Sequence, residues 1–250
     1  MIKILISGAL GKMGVNVLSA IKNDPEVIAV CGLDKVEDLS GSIPVYDDFS
    51  KVTQPVDVVI DFSSPKALDG ILAFISKTGA NAVLCSTGYT QEDLDKIDKA
   101  SENNAIFRSA NMSLGVNVLV ELAKTAVKNL TGFDVEIIEK HHNQKVDAPS
   151  GTALMLADAV KEVDNDKFYV YGREGIVGKR DANEIGIHAV RGGNIVGEHD
   201  VIFAGSDEVI TLSHHASDRK VFAFGAVKAS KFIYGKKNGL YNMADMLSGK

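Results

Sequence analysis

The chain has 250 residues, 45% hydrophobic and 24% charged, a composition that excludes a disordered polymer and leaves room for one large domain or two modest ones. Its net charge of −6 argues against a general nucleic-acid surface, which needs a dominant basic field, while permitting a local basic site for an anionic metabolite. No apolar stretch approaches the roughly 20 residues that cross a bilayer, and the first residues lack a signal peptide's basic and apolar regions, so the expected location is cytoplasmic with no membrane partner.

The first predicted element is a β-branched strand over 2–6, followed directly by Gly8-Ala9-Leu10-Gly11-Lys12-Met13-Gly14 and a helix over 12–22. Glycines spaced GxxGxxG between a strand and a helix are a variant of the dinucleotide fingerprint. Gly8 permits the tight turn, Gly11 lets backbone N–H groups approach a pyrophosphate, and Gly14 lets helix and strand pack closely. The positive helix N-terminus then faces the anion. A second strand over 27–33 ends at Asp34, 20 residues after Gly14, where an acid that grips a ribose is expected. Lys35 follows. Asp34 repels a 2′-phosphate and Lys35 attracts one, so discrimination between NADH and NADPH should be leaky.

Further buried-type strands are expected over 56–62, 82–85 and 106–107, with helices over 65–77 and 91–102. In the first of these helices Ala67, Leu68, Ile71, Leu72 and Ile75 form one stripe. Strand, helix, strand in repetition with nearly continuous apolar strands predicts a Rossmann-like, doubly wound parallel sheet. Cys31 and Cys85 each lie inside an apolar run and form no CxxC pair, so both are read as buried reduced thiols.

A change of rhythm follows. A long helix over 114–130 stacks Leu114, Val118, Leu122 and Ala126, and a strand follows over 134–139. Next comes Glu139-Lys140-His141-His142-Asn143-Gln144-Lys145-Val146-Asp147-Ala148-Pro149-Ser150-Gly151-Thr152-Ala153, in which eight of fifteen residues are ionisable or hydroxylated. Neither strand nor helix formation needs such a cluster. Histidine exchanges protons near neutral pH, Lys145 adds a cationic donor, and Ser150, Gly151 and Thr152 open a helix whose hydroxyls and free N–H groups suit a carboxylate. That helix should run over 151–163. From 185 to 213 the pattern is mainly strands, with Ile195, Gly197, His199, Val201 and Phe203 on one face and a turn at Gly192–Gly193, predicting a second α+β domain with a mixed or antiparallel sheet. The last predicted helix covers 219–234.

The run EKHHNQKVDAPSGTA at 139–153 resembles the hallmark segment of the 4-hydroxy-tetrahydrodipicolinate reductase (dihydrodipicolinate reductase) family of lysine and diaminopimelate biosynthesis. GALGKMG at 8–14, DFSSP at 61–65, CSTG at 85–88, ANMSLGVN at 110–117, RGGNIVGEH at 191–199 and FAFGAVKAS at 222–230 fall in the same family's order, so the resemblance spans nearly the whole chain. It implies reduction of 4-hydroxy-tetrahydrodipicolinate by NADH or NADPH. It further implies His141 and Lys145 as proton-handling catalytic residues, and His142, Gly151 and Thr152, beside Ser150, as binders of the ring dicarboxylate. The cofactor would be met by Gly8, Ala9, Leu10, Gly11, Lys12, Met13, Asp34 and Lys35, and at its nicotinamide end by Cys85, Ser86, Thr87, Ser109, Ala110, Asn111 and Met112. The resemblance also implies a dinucleotide-binding domain of 1–112 completed by 220–250, a substrate-binding and oligomerisation domain of 113–219, and a homotetramer. The family usually has GTTG where this chain has Cys85-Ser86-Thr87-Gly88, and often Phe at Met112, which unsettles the nicotinamide contact.

Outside these motifs the reading is plainer. His188, His199, His214 and His215 are expected as satisfied or surface histidines, no metal site is expected, and Asp61 and Asp147 are read as structural. Arg191, beside two glycines, is a weaker candidate for the substrate. Two rival functions compete with the reductase. Another two-domain NAD(P) oxidoreductase of the semialdehyde type would need a reactive cysteine. A non-catalytic NAD(P)-sensing regulator would leave the acid–base segment unexplained.

Overall fold

In the computed structural model, which describes residues 1–22 and 24–249, the apolar runs of the first hundred residues lie side by side. The order is β1 (Ile2–Ser7), α1 (Lys12–Ile21), β2 (Val27–Leu33), β3 (Val45–Tyr46), β4 (Val58–Asp61), α2 (Leu68–Thr78), β5 (Asn81–Leu84), α3 (Gln91–Ser101) and β6 (Ala105–Arg108). The chain continues through α4 (Leu114–Asn129), β7 (Asp134–His141), α5 (Gly151–Val163), β8 (Phe168–Tyr171), β9 (Glu184–Arg191), β10 (Gly197–Ala204) and β11 (Val209–Ala216). It ends with α6 (Lys220–Ile233), β12 (Gly239–Tyr241) and α7 (Met243–Ser248). Two compact units result: Met1–Leu114 with Arg219–Lys250, and Gly115–Asp218.

The first unit holds a seven-stranded sheet in the order β12-β6-β5-β4-β1-β2-β3, parallel at every pairing. Strand order reverses between β1 and β4, and in open α/β sheets the crevice beyond the carboxyl ends at such a reversal takes the ligand. Side chains alternate across each strand: Ile4 and Ile6 join a core with α1 and α6, whereas Leu5 joins Cys31 and Val59 in a core with α2. Both faces are therefore buried, as the continuous apolar runs require. The very short β3 and β12 carry too little periodicity to be read from sequence.

The second unit holds a five-stranded mixed sheet, β11-β10-β7-β9-β8, with β10 antiparallel to β7 and β11 while β9 runs parallel to β7 and β8. Val135, Ile137, Val201 and Phe203 face a core with Leu156, Ala157 and Val160 of α5. The expected stripe on α4 is wrong. Val116, Leu119 and Ala123 are its buried residues, while Val118 and Leu122 are exposed. A strict four-residue step drifts around a helix of 3.6 residues per turn, and the mixed steps of three and four keep one face.

Candidate active site

Backbone builds the candidate nucleotide site of the first unit. Gly8 sits at φ +80°, and the N–H groups of Gly8 and Ala9 donate to the Leu33 carbonyl at 2.8 and 3.1 Å, tying the loop after β1 to the end of β2. A Cβ on Gly14 would stand 2.2 Å from the Gly8 oxygen, so helix and loop touch as the fingerprint demands. Gly11 caps α1, with no side-chain bond to its first turn and no acidic residue there, leaving the positive helix end available to an anion. The Asp34 carboxylate is already aimed at this loop, accepting from the Leu10 N–H and the Lys35 N–H, both at 2.8 Å. These residues fit a dinucleotide: tight glycine turn, uncapped helix start and an oriented ribose acid. Leu10, Gly11, Lys12 and Lys35 are exposed beside them.

The strand ends of the same unit carry the remaining predicted contacts. Asp61, fully buried at the end of β4, accepts from the Ser63 N–H at 3.1 Å, the Ser63 hydroxyl at 2.5 Å and the Ser86 hydroxyl at 2.6 Å. It thus links the loops after β4 and β5, a role larger than a strand terminus. Cys85 is buried, and that burial, with the Asp61 charge, pushes its thiol well above the usual range. Burial likewise pushes Cys31 to about 12. Neither is a ready nucleophile. Ser109 and Asn111 bond to each other, the Ser109 hydroxyl donating to the Asn111 carbonyl at 2.8 Å, and Met112 is buried. A Cβ on Gly225 of α6 would lie 1.7 Å from the Met112 carbonyl oxygen. That glycine, missed by sequence reasoning, lets α6 close on the 109–112 loop; its only signal was its place in FAFGAVKAS.

Side chains build the candidate site of the second unit. Glu139, His141, Gly197, His199, His214 and Arg191 lie on one face of the second sheet, because β7, β9, β10 and β11 pair in register His199–Glu139, His199–His214, Gly197–Ala216 and His141–Arg191. The Glu139 carboxylate is fully buried. Its Oε2 meets His141 Nδ1 at 2.7 Å, two Arg191 nitrogens donate to its two oxygens at 2.7 Å each, and the Ser150 N–H donates to Oε1 at 2.9 Å. Burial pushes Glu139 up, but these donors outweigh it and hold the carboxyl below its usual value. Burial pulls His141 down, Glu139 pulls it back up, and the charges of Lys145 and Arg191 lower it; the net direction is down. A neutral imidazole with one anchored nitrogen results.

Ser150 caps α5, its oxygen accepting from the Ala153 N–H at 3.1 Å, and also lies 3.0 Å from His199 Nε2. His199 is 4% exposed, packs edge-on against the His141 ring at 5.2 Å, and is driven to about 4 chiefly by burial. The expectation of a satisfied histidine fails for its Nδ1, a buried atom with no partner among the described residues. Lys145 Nζ contacts Asp147 at 2.8 Å. His142 and Thr152 are half-buried, and Gly151 is exposed with open space where a Cβ would project. Arg191 belongs to Glu139 and to the Asp147 carbonyl, at 2.7 Å. The sequence could not show this pairing because it joins residues 52 apart. Among the described residues no cluster of His, Cys, Asp or Glu could hold a metal ion, and no helix is long and apolar enough to cross a membrane.

A glycine loop that fits a dinucleotide on a doubly wound parallel sheet is the architecture of a nicotinamide-dependent oxidoreductase. Comparison with known proteins narrows the class. Residues 2–112 match the family "Dihydrodipicolinate reductase, N-terminus" and residues 115–247 match "Dihydrodipicolinate reductase, C-terminus". The 4-hydroxy-tetrahydrodipicolinate reductase of Caldanaerobacter subterraneus subsp. tengcongensis is 53% identical over 99% of this chain and 98% of its own length. That of Clostridium novyi is 48% identical over the whole of both chains. A dipicolinate-bound dihydrodipicolinate reductase from Paenisporosarcina sp. TG-14 superposes with a TM-score of 0.82 at 27% identity, covering 97% of each chain. The myo-inositol 2-dehydrogenase of Lactobacillus plantarum, at 10% identity and a TM-score of 0.62, shares the fold. The chain belongs to the dihydrodipicolinate reductase family, whose cofactor is NADH or NADPH.

Proposed function

We propose that the chain reduces 4-hydroxy-tetrahydrodipicolinate to tetrahydrodipicolinate with NADH or NADPH in lysine and diaminopimelate biosynthesis, using His141 and Lys145 as its proton-handling residues. The observation that carries the residue assignment is the anchored imidazole of His141 beside the carboxylate-binding start of α5. Residues 8–13, Asp34 and Lys35 hold the dinucleotide in this reading, and Cys85, Ser86, Thr87 and residues 109–112 meet its nicotinamide end. Residues 1–112 with 220–250 form the nucleotide-binding domain, residues 113–219 the substrate-binding and assembly domain, and the working form is a cytoplasmic homotetramer.

A bound reduced nicotinamide would supply hydride to C4 of the ring after the 4-hydroxyl and a C3 proton have left together as water, so that one proton is then needed at C3. The Ser150 segment, His142, Gly151, Thr152 and Lys145 hold the two ring carboxylates, drawing on the α5 N-terminus and a cationic amine. His141 or Lys145 delivers the proton that completes the reduction. The rival semialdehyde chemistry needs a thiolate, which the burial of both cysteines disfavours. The test is a coupled assay with aspartate semialdehyde, pyruvate and the upstream synthase, following NADH and NADPH oxidation separately. Synthase-dependent oxidation of either nucleotide is expected; none with both, despite tight nucleotide binding, would favour the sensor reading.

A further inference from the structure

We infer that Glu139 is a positioning residue for His141, fixing the proton on Nδ1 and presenting Nε2 to the reaction, with Arg191 holding Glu139 in place. The inference rests on the reading of His141 above. Carboxylate and imidazole sit two residues apart on the same face of β7, and the strand's period of two puts them side by side. An ionised carboxylate only accepts hydrogen bonds, so an imidazole nitrogen 2.7 Å from it carries the hydrogen. Nε2 of the neutral ring is then a lone-pair acceptor, and of the protonated ring a donor.

The same carboxylate has two further holders. Arg191 spans both oxygens in the bidentate geometry that favours the anion, and the Ser150 N–H binds Oε1 at 2.9 Å. Glu139 therefore ties the proton-handling ring to the capping residue of the helix proposed to grip the substrate. A buried carboxylate with no cation would lose its proton only at great cost; Arg191 removes that cost. On the other side of the ring, an added Cβ at Gly197 would lie 3.1 Å from His141 Nε2, so the cross-strand partner position is left small where the reactive nitrogen needs room. The charged and titratable groups acting on the ring are Glu139 on its own strand, Arg191 on β9, His199 on β10 and Lys145 in the following loop.

The test is nitrogen NMR of the histidine-labelled enzyme, with steady-state kinetics of the same variants. In the native enzyme the His141 signals should report Nδ1–H at neutral pH. Glu139→Gln should lower the pH at which His141 titrates, since the charge that raises it is gone. It should also lower kcat about 10²-fold while leaving the KM for nucleotide within experimental error. Arg191→Lys, which keeps the charge but not the two-pronged grip, should lose less. If Glu139→Gln does not fold, Gly197→Ala gives the second arm: it should displace the ring, lowering kcat with nucleotide binding intact. A His141 signal reporting Nε2–H, or an unmoved His141 titration with normal kcat in Glu139→Gln, overturns the inference while leaving His141 itself in play. Near-normal turnover in His141→Ala would instead reject the functional reading beneath it.

Discussion

The candidate sites of the two units are made of different materials. In the first unit the proposed nucleotide cradle is backbone: glycines that admit close contact, N–H groups at a helix start, and a single carboxylate aimed at the loop. In the second unit the site is side chains, an ion-paired cluster of Glu139, Arg191 and His141 at the end of a sheet, with His199 beside it. All six histidines of the chain fall in the second unit and both cysteines in the first. The lesson is that the first is vulnerable to added volume and the second to altered charge.

Substitutions can break or sharpen that contrast. The largest effect should come from His141→Ala, which should lower kcat by about 10²- to 10⁴-fold, the usual worth of a general acid or base, with nucleotide affinity unchanged in a fluorescence titration. In the backbone-built half, Gly14→Ala should cost about 1–3 kcal/mol of stability through overpacking against the Gly8 carbonyl and weaken NADH binding without altering the His141 titration. Thermal melts and the same titration would check it.

Acid should also separate the halves. His199 is held from its ordinary 6.5 down to about 4, so the unfolded chain binds its proton first, and stability is complete above pH 6.5 and falls as pH drops toward 4. His141 and His214 are shifted in the same direction. Amide exchange over this window should show protection falling in residues 115–218 ahead of the first unit, and His199→Asn should flatten the decline. A smaller effect is expected for Asp34→Ala, which should move the NADPH-to-NADH ratio of kcat/KM by roughly five- to tenfold toward NADPH, since surface charge pairs are worth about 1 kcal/mol. Smallest of all, the double change Cys31→Ser and Cys85→Ser should keep turnover and cost only stability; abolished activity would revive the thiol mechanism.

Much of this could be read along the chain because the chemistry is local. The glycine loop, Asp34 and the Glu139–Ala153 run are short segments whose residue types make sense only at a site. The parallel sheet was legible because strands buried on both faces have no polar alternation. What escaped was non-local. Arg191 meets Glu139 only through the β7–β9 register, and Gly225 matters only because α6 packs on the 109–112 loop. The face of α4 was misread because its apolar residues exceed what one face needs, and only the packed core chooses among them.

The first unit is interrupted by the second. Its sheet is finished by β12 beside β6, and Ala223, Ala226, Ala229, Ile233 and Met243 fill the core lined by Ile4, Ile6 and Val83. On the ribosome the amino-terminal strands must therefore wait, with an unfilled apolar face, until the last thirty or so residues emerge, whereas residues 115–218 are by then already complete. Synthesis order is thus inverted for assembly: the segment made first matures last, and a nascent chain stalled before α6 should leave that apolar face open.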